Sequence, residues 1–145
     1  MLPESVALNV VQMQSEGLFK LKLLNMNVEQ LRDYCLSKKG TTEAFPFDKN
    51  VLVFKVLGKM FVLTGLDSWE KGEAAINLKA NPEYSEELRA AYGSIRPGFH
   101  MSKKHWNTLY ISEGELQPQF IFELIDHSYN MVVKSLTKKL RETLM

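Results

Sequence analysis

From residue 26 onward the hydrophobic positions alternate between a helical spacing and a two-residue spacing. Asn27 with Gln30 three positions later reads as a helix N-cap. Val28, Leu31 and Cys35 then recur at helical spacing until Gly40, which predicts a first helix over Asn27–Lys39. After a loop at Thr41–Asn50, the β-branched run Val51–Leu57, a Gly58-Lys59 turn and Met60–Thr64 form a hairpin signal. Gly65–Gly72 reads as a loop carrying Trp69. Ala74–Lys79 then sets Ile76 and Leu78 against Ala75, Asn77 and Lys79, a third strand. Asn81-Pro82 opens a short helix with Tyr84, Leu88 and Ala91 on one face, stopped by Gly93. Two further strands are expected, Ser94–Phe99 and Trp106–Ile111. Pro118 opens the last helical region, where Ile125, Tyr129, Val132, Val133, Leu136, Leu140 and Leu144 hold one stripe to the C-terminus. Strands joined by tight turns beside amphipathic helices imply an α+β fold, an antiparallel sheet of about five strands with helices packed on one face.

Met1–Asn25 mixes apolar and polar residues without caps, and Gly17 interrupts any helix there. Residues 1–25 are therefore expected to be an arm outside the domain, which runs over residues 26–145. The arm is read as an addition, a fusion remnant or read-through from an upstream start, with Met26 the natural initiator. With 145 residues, 45% of them hydrophobic and 24% charged, the chain has material for one compact domain. No apolar run approaches the roughly 20 residues of a membrane span, and no basic stretch and cleavage site mark a secretory leader. One cysteine beside seven methionines fits a reducing compartment. The expected location is the cytoplasm, without membrane attachment, as a monomer or weak homo-oligomer.

The net charge of +1 names no partner, but its distribution is uneven. Leu88–Ser112 holds Arg89, Arg96, Lys103 and Lys104 with His100 and His105 and no acid. The stretch that follows, Glu113–Asp126, carries Glu113, Glu115, Glu123 and Asp126 with no base. A basic segment ahead of Trp106, Asn107 and Tyr110 has the residue types that phosphate contact and base stacking use; a solvated basic loop is the alternative. Lys138, Lys139 and Arg141 complement a helix C-terminus. Nucleotide-binding glycine motifs, a nucleophile elbow and paired cysteines are absent from the sequence. The spacing of His100, His105 and His127 suits no usual metal set, and Cys35 on an apolar stripe reads as a buried hydrophobe. No metal, no cofactor and no catalytic residue is expected. Phe45-Pro46-Phe47-Asp48 reads as a plug over the open end of the sheet, or as the wall of a ligand pocket.

Several of these segments, in order, resemble the MmcQ/YjbR family of small bacterial proteins. They are Phe45-Pro46-Phe47-Asp48, Gly58-Lys59-Met60-Phe61, Ile76-Asn77-Leu78-Lys79, Pro97-Gly98-Phe99-His100-Met101, Lys104-His105-Trp106-Asn107 and Asp126-His127-Ser128-Tyr129. The resemblance implies a fold similar to the frataxin (CyaY) type, described as a double wing and labelled DNA-binding-like. A fold does not fix function. The family-matched polar and aromatic positions are Lys59, Lys79, His100, Lys104, His105, Trp106 and Asn107; with Arg96 and Lys103 they form the candidate nucleic-acid-binding set. The leading expectation is a non-enzymatic DNA-binding module. Behind it stands a domain binding a protein or a small acidic ligand, and last an enzyme or metal chaperone. The first helix has only Glu29 and Asp33 against Arg32, Lys38 and Lys39, a poor start for iron. If Lys49, Lys59, Lys79, Arg96, Lys103 and Lys104 share a face the first expectation gains; if they scatter, the second does.

Overall fold

A computed structural model describes residues 26–145, so the reading of residues 1–25 as an arm lies outside the described residues. The first helix, α1 (Val28–Leu36), starts at the expected capping box. Asn27 Oδ1 accepts the Gln30 N–H at 2.8 Å and Gln30 Oε1 accepts the Asn27 N–H at 2.9 Å. It stops at Ser37, earlier than Gly40, because the Ser37 hydroxyl turns back onto the Tyr34 carbonyl. Gly40 has φ +73 instead in the link to a strand, and a Cβ there would lie 2.6 Å from a Leu144 methyl.

That strand, β1 (Thr41–Ala44), was expected to be loop. It pairs with β2 (Val51–Val56) at the sheet edge, where Thr-Thr-Glu carries little of the apolar alternation that marks a strand. Next come β3 (Lys59–Gly65), a short helix α2 (Leu66–Glu70) where a loop was expected, and β4 (Ala75–Lys79). They are followed by α3 (Pro82–Ala91), β5 (Ile95–Pro97), β6 (Trp106–Tyr110), a 3-10 turn at Ile111–Glu113, α4 (Pro118–Ser135) and α5 (Lys138–Glu142). Among the described residues the sheet has six strands, one more than expected, in the order β1-β2-β3-β4-β6-β5, all antiparallel. The apolar stripe at the C-terminus does not run through one helix. Leu136 takes an extended ψ of 158°, which keeps its side chain buried, and Thr137 caps the new helix at Leu140 N–H.

The main core lies between sheet and helices. Phe54, Val56, Ile76, Leu78 and Leu109 meet Leu31 and Cys35 of α1, Leu88 of α3, and Ile121, Ile125 and Val132 of α4. Each fully buried aliphatic side chain contributes about 1.5–3 kcal/mol. Burial pushes the Cys35 thiol up to about 12, so it stays protonated and inert at neutral pH. On the other face a smaller cluster gathers Val53, Leu63 and Trp106, with Met60 and with Met101 from the β5–β6 loop. Phe45 and Phe47 do not plug the sheet: they are 48% and 63% exposed. Asp48 between them and β2 caps a turn, its Oδ1 accepting the N–H groups of Asn50 and Val51.

Candidate functional site

The β2–β3 turn is Leu57-Gly58, one residue earlier than the sequence suggests. Both residues have positive φ, +47 and +87, the geometry of a two-residue primed turn, which hands Lys59 to the first position of β3. A bulge follows at once: Lys55 faces Met60 while Phe54 faces Val62, leaving Phe61 as the extra residue. The bulge twists β3 away from β4, and their ladder ends at the Val62–Leu78 pair. Beyond it the buried hydroxyl of Ser128 on α4 takes over. It accepts the Lys79 N–H at 2.8 Å and donates to the Phe61 carbonyl at 2.6 Å.

Where the two strands part, a cleft of about 590 Å³ opens, lined by Lys55, Lys59, Met60, Lys79, Trp106 and Ser135 among others. No carboxylate lines it, and Lys55, Lys59 and Lys79 make no ion pair among the described residues. The Lys79 ammonium lies 5.9 Å from the centre of the Trp106 ring. Trp106 is only 8% exposed, so its indole is a wall of the cleft and part of the small core rather than an open stacking surface. Three cations around a concavity raise the local positive potential, which attracts anions. Lys55 was missed by sequence reading, although its place after Val51 and Val53 in the strand period marks it as sharing their face.

The other candidates divide. Lys104 and His105 are exposed just before Trp106, and the His105 carbonyl accepts the Ala80 N–H, so both lie beside the end of β4 that carries Lys79. Lys103 is also exposed, but its ammonium donates to the Gly98 carbonyl at 3.1 Å and closes its own loop. His100 sits at the loop's tip with φ +57, its ring 4.0 Å from that of Phe99. Arg96 is occupied on the far edge. Its Nη2 donates to both Glu113 carboxylate oxygens at 2.7 and 2.9 Å, its Nε donates to the Gly93 carbonyl, and the guanidinium covers the Tyr110 ring. Asn107 is buried at 1% exposure, bonded to Ser85 and Arg89, which makes it a structural residue. Arg89 itself reaches from α3 to the Lys103 and Trp106 carbonyls and Asn107 Oδ1, fixing both ends of the loop's last turn. Among the described residues no three His, Cys, Asp or Glu side chains gather as a metal site would need, and no helix is long and apolar enough to cross a membrane.

The model of the YjbR family matches residues 36–131, a span that contains the hairpin, the β5–β6 loop and the cleft's lining apart from Val132 and Ser135 of α4. The chain belongs to the YjbR family. It shares 31% identity over 120 residues with the uncharacterized protein YjbR of Escherichia coli strain K12, covering 83% of this chain and 98% of that protein. With the uncharacterized protein YbdF of Escherichia coli O157:H7 it shares 41% over 95 residues, 66% of this chain and 75% of that one. A crystal structure of a Deinococcus radiodurans protein with a DUF419 domain superposes with a TM-score of 0.73 at 39% identity, over 81% of this chain and 87% of its own. A Pseudomonas syringae protein follows at 0.61 and 30%, over 73% and 98%. The fold is thus shared with these two solved structures, and the basic cleft is a feature of this chain described from its own residues.

Proposed function

We propose that this YjbR-family chain is a non-enzymatic module that binds the phosphate backbone of nucleic acid, DNA first, through the lysine end of its sheet. The observation that carries the reading is the convergence of Lys55, Lys59 and Lys79 on a cleft whose described lining holds no carboxylate, with Lys104 and His105 alongside. Binding a polyanion there releases condensed counterions, so affinity falls as salt rises, with a log–log slope of about −0.9 per phosphate contact on B-form DNA. Arg96 and Asn107 leave the contact set because Glu113, Ser85 and Arg89 occupy them. Lys55 joins it.

The experiment is a salt series of duplex binding, read by fluorescence anisotropy. Replacing Lys59 and Lys79 together by Glu is expected to shallow the slope by about 1.8, while circular dichroism stays unchanged because both ammonium groups make no ion pair among the described residues. No binding of duplex or single strand at about 50 mM salt, where backbone contacts are strongest, sinks the reading. The concavity of the cleft favours a second reading, a small anionic ligand held by the same lysines. Competition separates them: a compact anion such as pyrophosphate saturating at one site, with no nucleic acid bound, selects the second.

A further inference from the structure

Phe99 is 65% exposed, an unusual place for a large apolar side chain on a loop whose backbone is tied down. Its N–H donates to the Thr108 hydroxyl at 3.1 Å, and that hydroxyl donates to Asn77 Oδ1 at 2.6 Å. On one side Gly98 N–H donates to the Trp106 carbonyl at 2.8 Å; a Cβ at Gly98 would come within 2.9 Å of the Trp106 Cβ, so glycine is what lets the loop lie this close. On the other side Met101 is packed into the Val53, Leu63 and Trp106 cluster. Between these anchors His100 is held in the left-handed region, a conformation that costs a non-glycine residue energy and that persists only where the surroundings impose it. The loop therefore spends several hydrogen bonds and some strain on holding an aromatic ring out into solvent.

We propose that Phe99 is a stacking platform and that the nucleic acid this surface fits is single-stranded; the inference rests on the backbone-binding reading above. A duplex keeps its base faces inside its own stack, whereas an unpaired base presents a face that any aromatic ring can cover. Trp106 cannot serve, being buried, and Tyr110 is covered by Arg96. Next to the ring, the Lys103 ammonium donates to the Gly98 carbonyl, and Lys104 and His105 are exposed on the same loop, which fits a phosphate chain better than an apolar protein partner. One strand would lay a base on Phe99, against the edge of the His100 ring, and run its phosphates past Lys104 toward Lys79 and Lys59.

The test uses the full chain with a short mixed-sequence single strand and the duplex of the same sequence, each titrated at several salt concentrations. The single strand is expected to bind more tightly. Phe99→Ala is expected to weaken it about 5- to 150-fold without changing the salt slope, because stacking releases no counterions. Phe99→Trp should restore or exceed the wild-type affinity. Lys59→Glu with Lys79→Glu should also weaken binding but, unlike Phe99→Ala, shallow the slope, by about 0.7 per contact on a single strand. Duplex bound as well as single strand, or Phe99→Ala indistinguishable from wild type, overturns the inference and leaves backbone binding standing. Neither polymer bound at low salt overturns both.

Discussion

The arginines of α3 and β5 and the lysines around the β3–β4 split carry charge of the same sign, yet the fold treats them in opposite ways. Arg96 lies against Glu113, Gly93 and Tyr110, and Arg89 is spent on two carbonyls and an amide oxygen. Lys55, Lys59 and Lys79 meet no acid among the described residues and border an open cleft. The planar guanidinium suits fixed, multi-pronged hydrogen bonding, while an ammonium on a flexible stem suits a diffuse anion. In sequence the arginines sit in the most basic segment and the lysines of the cleft are dispersed. Charge counted along the chain is therefore a poor guide to charge offered to a partner.

The sharpest way to break this contrast is to delete one arginine of each kind. Arg89→Ala strands the buried Asn107 Oδ1 and removes the donor to the Lys103 carbonyl, while the Trp106 carbonyl keeps only the Gly98 N–H. Hydrogen bonds to charged groups are worth about 1.5–3 kcal/mol each and are not additive, so a loss of about 3 kcal/mol is expected in urea unfolding. Arg96→Ala breaks an exposed pair and should cost no more than about 1 kcal/mol. An Arg89→Ala cost as small as that expected for Arg96→Ala would mean the loop does not depend on Arg89. At the lysine end the corresponding structural residue is Ser128, whose hydroxyl closes the split between β3 and β4. Ser128→Ala leaves the Lys79 N–H and the Phe61 carbonyl without that partner, an expected loss of about 2 kcal/mol. It should also reduce anion binding, whereas Arg96→Ala should not.

Local signals were legible where one element contained its own cause. The capping box of α1, the alternation of β4 and the Asn81-Pro82 opening of α3 were all readable because each is fixed by residues three or fewer positions apart. The α+β class and the family resemblance followed from their order. What failed depended on distant partners. The edge strand β1 is defined by Val53 and Val56 across the ladder rather than by its own pattern, and the turn at Leu57 is one residue early because Leu57 N–H bonds the Gly40 carbonyl. The segregated +4 and −4 segments looked like two patches. In the fold Glu113 returns to Arg96 across the two segments, Glu115 accepts from the neutral Ser94, and Asp126 pairs with Lys38 from outside the basic segment, so the acids are held by separate partners rather than forming one patch. For the candidate site, Lys59, Lys79 and Trp106 were named and do come together; Lys55 and Ser128 needed the bulge and the packing of α4 to be seen.

The smallest expected effect tests the junction between the two regions. His127 of α4 accepts the Asn81 N–H through Nε2 at 3.2 Å and meets the Tyr84 ring edge-on at 4.9 Å, at the point where β4 passes from Lys79 into α3 and so toward Arg89. Burial, and secondarily the nearby Lys134, hold its pKa below the usual 6.5. A proton on Nε2 would also remove the acceptor that Asn81 N–H uses. The unfolded chain therefore binds this proton at a higher pH than the folded one, and stability rises with pH across the window between the two values. The contribution is fully present above about 6.5 and is lost as pH falls through the folded value. Glu43, held low by Arg32, and Glu115, held low by Ser94, lose their contributions only in the carboxylate range below 4.5, so the windows do not overlap. The expected outcome is a modest drop in urea midpoint between pH 7.5 and pH 5.5 that disappears in His127→Gln, whose amide oxygen can still accept from Asn81. A drop of the same size in the variant would place the titration elsewhere and remove His127 as the link between the lysine end and the arginine edge.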